Sequence, residues 1–173
     1  MSARLSAGRV AAFYLTALGA IAIALSNTEL FPLRVVYNAS ASVPIGWYAV
    51  EDAAAVAVGD IVVVHPPARA EQLLVQRGYI GANVPLLKRV AAQAGTLVCR
   101  SGDTIVVGKT VVGIARETDA LSRPLPRWSG CRELRAHEVF LFNHDAPGSF
   151  DGRYLGPTPA RDIIGKARPL WTW

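Results

Sequence analysis

The sequence predicts a mainly β domain with a small insert, preceded by one N-terminal transmembrane helix. Two observations support this fold class. Short runs rich in β-branched residues recur along the chain, and glycine or proline bounds most of them, which is the pattern of strands joined by turns. Before these runs lies a stretch of 19 residues without a charged side chain, at positions 10–28. A length of 173 residues suffices for one well-buried domain with a small annex.

The uncharged run at 10–28 predicts the transmembrane helix. At about 1.5 Å per residue, a helix of this length spans roughly the 30 Å of a bilayer core. Arg4 and Arg9 precede the run, and positive charge favours the cytoplasmic side, so residues 1–9 are predicted to be cytoplasmic. Residues 29–173 would then form a domain on the outer side of the membrane.

A cleaved signal peptide is an alternative interpretation of this run. A signal peptide also has a basic start and an apolar core that ends in small residues, and Ala24 to Ser26 could serve as its cleavage box. A buried core helix is a third interpretation, but the run has no polar face. Because the run is longer than the usual core of a signal peptide, we favour a retained anchor.

The rest of the chain alternates predicted strands with turns and contains one short predicted helix. The helix covers Arg69 to Arg77, with Leu73 and Leu74 on its buried face. An extended segment from Phe31 to Tyr37 precedes the strands, and a long loop is predicted at 144–159. The predicted strands lie at residues 47–51, within 59–67, and at 85–92, 104–107, 110–112, 138–143 and 163–167.

The segment at about 97–136 is predicted to be an insert in this domain. It holds a β-hairpin, followed by a polar, proline-rich stretch from Arg116 to Ser129 that is expected to be an irregular excursion on the surface. Cys99 and Cys131 flank this stretch. A disulfide between them is compatible with an extracytoplasmic domain and would close the insert, whereas two buried free thiols are the alternative.

The composition argues against several classes of function. The net charge is +5, and the 18 Lys and Arg residues are spread along the chain, unlike the clustered basic and aromatic residues of a nucleic-acid-binding surface. Attraction to anionic lipid headgroups is a simpler explanation of this positive charge than nucleic-acid binding. The three histidines are far apart and no Cys-x-x-Cys motif is present, so neither a metal site nor a cofactor is predicted.

A nucleophile is predicted in the stretch from Tyr37 to Tyr48. Pro44 fixes its own backbone angle and pushes the preceding residue towards an extended conformation. Ser40 and Ser42 would therefore lie on an extended segment, in which residues two apart point to the same side. One hydroxyl could attack while the other stabilises the transition state. A polar turn, in which both serines bond nearby backbone, is the alternative.

A base for this serine is predicted at Lys88. A serine hydroxyl is a poor nucleophile until a base takes its proton, and no histidine lies in a context that suggests an orienting acid beside it. Lys88 lies in an apolar strand between Leu87 and Val90, where burial would lower the lysine pKa towards operating pH. A strand lysine that extends to solvent is the alternative.

These segments together resemble a known protein family. A serine before a proline, a Gly-Asp-Ile-Val strand at 59–62, a Lys-Arg-Val strand at 88–90 and a Ser-x-Asp-x-Arg-Tyr-x-Gly loop at 149–156 occur in the order seen in type I signal peptidases. Asn-x-Ser-x-Ser-x-Pro-x-Gly-x-Tyr at 38–48 and Arg-Pro-Leu-Pro-x-Trp-x-Gly-Cys at 123–131 resemble the TraF-type branch, the conjugative-transfer peptidases. The resemblance runs from about residue 10 to the end of the sequence.

The resemblance implies a signal-peptidase-like fold and a Ser/Lys catalytic dyad. Ser42 would be the nucleophile and Lys88 the general base. Ser40 falls where the family places a hydroxyl donor to the oxyanion, beside the backbone N–H of Ser42. Asp151 falls at the family's acidic position, and Asp145 is a weaker alternative carboxylate in the same loop.

The same loop would support the dyad. By resemblance, Ser149 and Asp151 orient the lysine, and Arg153 pairs with Asp151 as structure rather than chemistry. Gly152 departs from the family, which usually has a serine at this position. A water or Ser149 would therefore have to supply the contact that this serine makes.

The implied function is a membrane-anchored serine endopeptidase that removes a signal or pro-peptide from an exported precursor. The Ser-x-Pro spacing argues against general secretory processing and favours a dedicated substrate such as a conjugative pilin. The enzyme would lie in the bacterial inner membrane, in contact with lipid through its N-terminal helix, with its catalytic domain in the periplasm. The alternatives are a non-enzymatic β module in pilus or secretion-system assembly and a general signal peptidase. A self-cleaving repressor of the LexA type resembles the family in fold, but it needs a DNA-binding helix-turn-helix where this chain has an apolar run.

Overall fold

The structure is a computed structural model that describes residues 7–26, 33–53 and 56–173. The chain divides into two compact units, residues 1–33 and residues 34–173.

The first unit contains helix α1, Ala7–Ser26. Within the described ranges, no helix is long and apolar enough to cross a membrane, so the predicted transmembrane helix is not supported. Residues 1–6 of the predicted cytoplasmic segment lie outside the described residues, and so do residues 27 and 28 of the predicted anchor.

The second unit is built from eleven described strands and two short helices. In chain order the strands are β1 (Val35–Asn38), β2 (Gly46–Glu51), β3 (Ile61–Val64), β4 (Leu86–Ala92), β5 (Leu97–Ser101), β6 (Thr104–Val107), β7 (Thr110–Ile114), β8 (Gly130–Glu133), β9 (Glu138–Leu141), β10 (Thr158–Pro159) and β11 (Ile163–Thr172). The helices are α2 (Ala68–Gln76) and α3 (Gly152–Leu155), and a 3-10 turn covers Ala160–Asp162.

Seven of these strands form the main antiparallel sheet. Their order across the sheet is β1-β2-β11-β3-β4-β9-β10. The last strand in the sequence, β11, therefore lies between β2 and β3, two strands from the first half of the sequence. The central strands are apolar on both faces, which is expected when both faces of a sheet are covered.

The core of the sheet follows from the alternation of side chains along β3. Val63 packs with Tyr48 and Leu87 in one cluster. Val62 and Val64, which point to the other face, belong to a second cluster. All of these side chains are almost fully buried. The site described below is built on β4 of this sheet and on the loop that precedes β2.

The insert forms a separate four-stranded sheet with the order β7-β6-β5-β8. Cys99 of β5 lies opposite Cys131 of β8, and the two form a disulfide with a Cα–Cα distance of 4.0 Å. The predicted disulfide is therefore confirmed. Buried Val98 and Ile105 join the insert to a third core cluster that also contains Phe142.

The mainly β fold is confirmed, and most predicted elements match observed ones. The predicted helix corresponds to α2, and each predicted strand overlaps an observed strand. The last strand extends further than predicted, because Trp171 and Thr172 pair with Trp47 and Gly46 of β2. The loop predicted at 144–159 contains α3 and, at its end, the two-residue strand β10. Of the predicted extended segment, residues 31 and 32 lie outside the described residues.

Candidate active site

The loop between β1 and β2 carries Ser40 and Ser42 and is held by buried side chains, chiefly that of Asn38. The Nδ2 group of Asn38 donates to the carbonyl oxygens of Ser40, Val43 and Pro44 at 2.7, 3.0 and 3.0 Å. Its Oδ1 atom accepts a hydrogen bond from the backbone N–H of Ser40 at 3.2 Å. The buried Tyr48 hydroxyl also donates to the Pro44 carbonyl, at 2.6 Å, so Asn38 and Tyr48 together fix the shape of the loop that presents both hydroxyl groups.

The two serine hydroxyls form a short chain that ends on Asn38. Ser42 Oγ lies 2.8 Å from Ser40 Oγ, and Ser40 Oγ donates to Asn38 Oδ1 at 3.0 Å. Because the Ser40 proton is used in the bond to Asn38, the Ser42 hydroxyl is the donor to Ser40. The Ser40 hydroxyl must therefore turn away from Asn38 before it can donate to an oxyanion.

Gly46 ends this loop where the chain meets β11. Its φ is +143°, and a Cβ atom there would lie 2.1 Å from the carbonyl oxygen of Trp171. The backbone N–H of Trp173 donates to the carbonyl of Ile45 at 3.0 Å. The end of β11 therefore packs directly against the loop that carries Ser42.

Lys88 lies on β4 with only 5% of its surface exposed. Its Nζ atom donates to Ser149 Oγ at 2.9 Å. Burial lowers the pKa of Lys88 to about 8, because the loss of hydration outweighs the attraction of Asp151, and Arg153 lowers it further. The alternative of a strand lysine that extends to solvent is therefore wrong.

Asp151 and Arg153 form a buried ion pair near the lysine. Asp151 Oδ2 lies 3.1 Å from Arg153 Nη1 and accepts a bond from the backbone N–H of Asn143 at 3.0 Å. Asp151 Oδ1 accepts from the backbone N–H of Arg153 at 3.1 Å. Burial raises the pKa of Asp151, while Arg153 and these two N–H groups oppose the rise.

This ion pair holds the loop that presents Ser149. The guanidinium of Arg153 donates to the carbonyl oxygens of Asn143, Ala146 and Ser149. Within the described residues, the hydrogen bond of Lys88 goes to Ser149 rather than to Asp151. Asp151 therefore affects Lys88 in two indirect ways: its charge attracts the ammonium group, and its ion pair holds the loop that carries Ser149.

Gly152 stands where the family usually has a serine, and its surroundings explain the glycine. A Cβ atom here would lie 2.6 Å from the carbonyl oxygen of Leu141 and 2.8 Å from the ring of Phe140. The indole of Trp128 donates to the Gly152 carbonyl at 2.9 Å. The backbone therefore packs too closely for a side chain, and Ser149 supplies the hydroxyl that contacts the lysine.

Ser42 and Lys88 line the same cleft, which has a volume of about 610 Å³. Ser40, Ser149 and the exposed Asp145 line it as well. The two groups of the predicted dyad have different hydrogen-bond partners, Ser40 and Ser149, and no direct bond joins them in the described part of the chain. The remaining walls are mostly apolar, and include Leu74, Ile80, Leu86, Leu125, Phe150 and Tyr154.

The predicted surface excursion at 116–129 is also part of the cleft. Asp119 accepts a short hydrogen bond from the Tyr79 hydroxyl, and bonds from Arg77 at 3.3 Å and Arg123 at 2.7 Å. Although loss of hydration opposes the shift, the bonds from Tyr79 and Arg123 hold the pKa of Asp119 well below its usual range. They join the insert to the segment that follows α2, so this stretch is a wall of the site.

Asn38, Asn143 and Asp119 are site residues that the sequence patterns did not indicate. Asn143 accepts from the backbone N–H of Arg89 at 2.8 Å and donates to Ser149 Oγ at 3.3 Å, so it links β4 to the loop. Asn38 belongs to the Asn-x-Ser-x-Ser motif at 38–48, in a turn-forming stretch where side-chain to backbone bonds are common, but the motif assigned it no role. Asn143 and Asp119 depend on partners remote in sequence, Arg89 and Tyr79.

Comparison with known proteins assigns the chain to a family. A family model described as signal peptidase, peptidase S26, matches residues 8–173. The chain belongs to this signal peptidase family. The matched residues include Ser42, Lys88 and Ser149, which the cleft brings together.

Similar proteins place the chain in the TraF-type branch of the family. The plasmid transfer protein TraF of Escherichia coli is 34% identical over 150 residues, which cover 79% of this chain and 82% of that protein. The conjugal transfer protein TraF of Agrobacterium tumefaciens is 33% identical over 145 residues, with coverages of 79% and 81%. A crystal structure of a signal peptidase I from Enterococcus faecalis aligns with a TM-score of 0.38 and 14% identity, covering 65% of this chain and 96% of that one.

Proposed function

We propose that the protein is a serine endopeptidase in which Ser42 is the nucleophile and Lys88 is the general base. The observation that carries this proposal is a buried lysine, with a pKa of about 8, in the same cleft as the serine. With this pKa, roughly a tenth of the molecules hold a neutral Lys88 at pH 7, far more than for a solvated lysine. Membership of the signal peptidase family supports the same assignment.

In the first step, the Ser42 hydroxyl turns from Ser40 towards the neutral amine of Lys88. The Ser42 oxygen attacks the carbonyl carbon of the scissile peptide bond while Nζ takes its proton. The oxyanion accepts hydrogen bonds from the backbone N–H of Ser42 and from the Ser40 hydroxyl, once the latter has turned from Asn38. The Lys88 ammonium then protonates the leaving amine, the C–N bond breaks, and an ester on Ser42 remains.

In the second step, water releases the product. Lys88, neutral again, takes a proton from a water molecule whose oxygen attacks the ester carbonyl. The tetrahedral intermediate collapses to the carboxylic acid, and the proton on Nζ returns to Ser42 Oγ. Ser149 keeps the amine in place, because its own Oγ is held by Asn143.

We propose that the substrate is an exported precursor with a leader peptide, specifically a conjugative pilin. The apolar walls of the large cleft suit the apolar and small residues of a leader. The relatives are named plasmid or conjugal transfer proteins, which supports a role in conjugation.

The proposed location is the periplasmic side of the bacterial inner membrane. The disulfide supports an oxidising compartment. Apolar side chains of α1, among them Phe13, Leu18 and Ile21, are more than half exposed, which supports contact with lipid through this helix. The protein should sediment with inner membranes; release by alkaline carbonate, or a mature N-terminus near Asn27, would contradict a retained attachment.

Two experiments test the proposed chemistry and substrate. A serine-reactive penem-type probe should label the wild type and leave Ser42→Ala unlabelled. Co-expressed pilin precursors should be shortened by the wild type but not by Ser42→Ala. If the probe labels Ser42 but only general secretory precursors are cut, the protein is a general signal peptidase. If neither labelling nor cleavage occurs in folded protein, a non-enzymatic module is the better description.

A further inference from the structure

A second cleft lies beside the nucleophile. Its volume is about 310 Å³, roughly half that of the large cleft. It is lined by the backbone and side chains of residues 41–45 and by Arg89, Asn143, His144, Asp145 and Trp173. Its charged side chains include Arg89 and Asp145. The large cleft also has charged side chains, Lys88, Arg116, Asp119 and Asp145, but they lie among long apolar ones such as Leu74, Ile80 and Leu86.

Three residues belong to both clefts: Ala41, Ser42 and Asp145. The nucleophile therefore lies at the junction of the two clefts, and the carboxyl group of Asp145 lines the same junction. A substrate chain continues on both sides of a peptide bond at Ser42, so each cleft has room for one of the two flanking segments. The site thus has two distinct binding regions for a single extended substrate.

The chemistry of the two clefts indicates which part of the substrate each of them binds. A leader is apolar, with small residues before the cut, and the segment after the cut is the polar start of the mature chain. The apolar walls of the large cleft match the leader. The second cleft, with Arg89 and Asp145, matches the polar segment that follows the cut bond.

Asp145 is available to bind a charged group at this junction. It is exposed, and within the described residues its carboxylate makes no hydrogen bond or ion pair. Arg89 lines only the second cleft, and one of its nitrogens donates to the carbonyl of Gly59 at 2.7 Å. If the segment after the cut occupies the second cleft, its first residue lies next to Asp145 at the junction and a later residue lies next to Arg89.

We propose that the second cleft binds the first residues after the cut bond and that Asp145 is a specificity-determining residue there. Its carboxylate favours a basic side chain immediately after the cut and disfavours an acidic one. This inference rests on the proposed peptidase function for its biological meaning, but it makes a claim about binding that can be measured without turnover.

The test measures binding to the full chain carrying Ser42→Ala, which prevents cleavage. The probes are N-acetylated, fluorophore-labelled octapeptides that differ only in a first residue of Lys, Gln or Glu. Opposite charges near a protein surface interact by about 1 kcal/mol, so the Lys peptide should bind about 5- to 10-fold more tightly than the Glu peptide at low salt. Added salt should reduce this preference.

A matched pair of variants identifies the residue responsible. Asp145→Asn in the Ser42→Ala background should bring the Lys and Glu peptides to within about twofold, and Asp145→Lys should reverse their order. Asp52→Asn, which removes an exposed carboxylate that lines neither cleft, should leave the preference unchanged. An unchanged preference in Asp145→Asn, or no binding of any peptide at millimolar concentration, would overturn the inference.

The position of the bound peptide is checked by the indole N–H signals of the tryptophans. The Trp173 signal should shift on binding, whereas the signal of Trp128, whose indole is bonded to Gly152, should not. A shift confined to Trp128 would place the peptide elsewhere and overturn the inference. Cleavage by the wild type is measured separately. Charge-dependent peptide binding without cleavage would contradict only the proposed function. Cleavage without a charge preference would contradict only this inference.

Discussion

The charge state of Lys88 controls the proposed chemistry. Its neutral form is the base, and the fraction of that form increases as pH rises through about 8. We expect kcat/KM for a leader peptide to rise with pH and level off above that midpoint. Lys88→Arg should be as inactive as Lys88→Ala, because a guanidinium stays protonated. Substantial activity in Lys88→Arg, or a flat profile from about pH 6 to 9.5 in folded protein, would exclude a lysine base.

Substitution of Ser40 should mainly lower activity, whereas substitution of Asn38 should also lower stability. Ser40→Ala removes one oxyanion donor from an exposed position, so kcat should fall by about 100- to 1,000-fold with little change in stability. Asn38→Ala removes the side-chain donor to the Ser40 and Val43 carbonyls and one of the two donors to the Pro44 carbonyl, and should lower the free energy of unfolding by about 1 to 3 kcal/mol. Activity assays with urea unfolding separate the two effects, and equal stabilities for both variants would contradict this assignment.

Gly152 should not accept the serine that is usual in the family. A Cβ atom at this position meets the Leu141 carbonyl and the Phe140 ring, so Gly152→Ser should destabilise the fold by about 1 to 3 kcal/mol. Gly148→Ser is the control, because a Cβ atom at Gly148 meets nothing within 4 Å. Thermal unfolding of both variants gives the comparison; a fully stable Gly152→Ser would show that the neighbouring backbone moves readily.

The disulfide of the insert serves stability rather than chemistry. The bridge joins β5 to β8 across a separation of 32 residues, and neither cysteine lines the cleft. In the chain-entropy model, the double variant Cys99→Ser and Cys131→Ser should lose roughly 3 to 4 kcal/mol of unfolding free energy. The folded fraction should still react with the serine probe. Labelling of both cysteines by a thiol reagent in untreated native protein would contradict the bridge.

The sequence allowed the elements to be predicted better than the contacts between them. The strand around Lys88 and the turn around Ser42 could be predicted because their signals are local, an apolar run with one lysine and a proline beside two serines. The contact between Lys88 and Ser149 joins residues 61 positions apart, and depends on how β4, β9 and the following loop pack. The role of Asp119 likewise depends on a fold that brings it to Tyr79.

The buried Lys88 lowers the free energy of unfolding of the protein. A pKa of about 8 instead of the ordinary 10.5 corresponds to roughly 3 kcal/mol of unfavourable burial while both folded and unfolded states are protonated. Between about pH 8 and pH 10.5 the unfolded state binds more protons than the folded state, so the free energy of unfolding rises with pH. Lys88→Met should therefore be more stable than the wild type at pH 7, and this advantage should shrink towards pH 10 in urea unfolding. An advantage that is equal at both pH values would contradict the lowered pKa.

The place of β11 in the sheet has a consequence for how the proposed site forms during folding. The hairpin of β1 and β2 carries Ser42, the group of β3, β4, β9 and β10 carries Lys88, and β11 is the strand hydrogen-bonded to both groups. A nascent chain acquires this strand after the other described strands, and pairings between distant segments slow folding because they close long loops. We expect the cleft that contains Ser42 and Lys88 to be complete only after β11 has paired with both β2 and β3. A chain that ends before β11 should therefore lack the proposed activity even though it contains both residues of the proposed dyad.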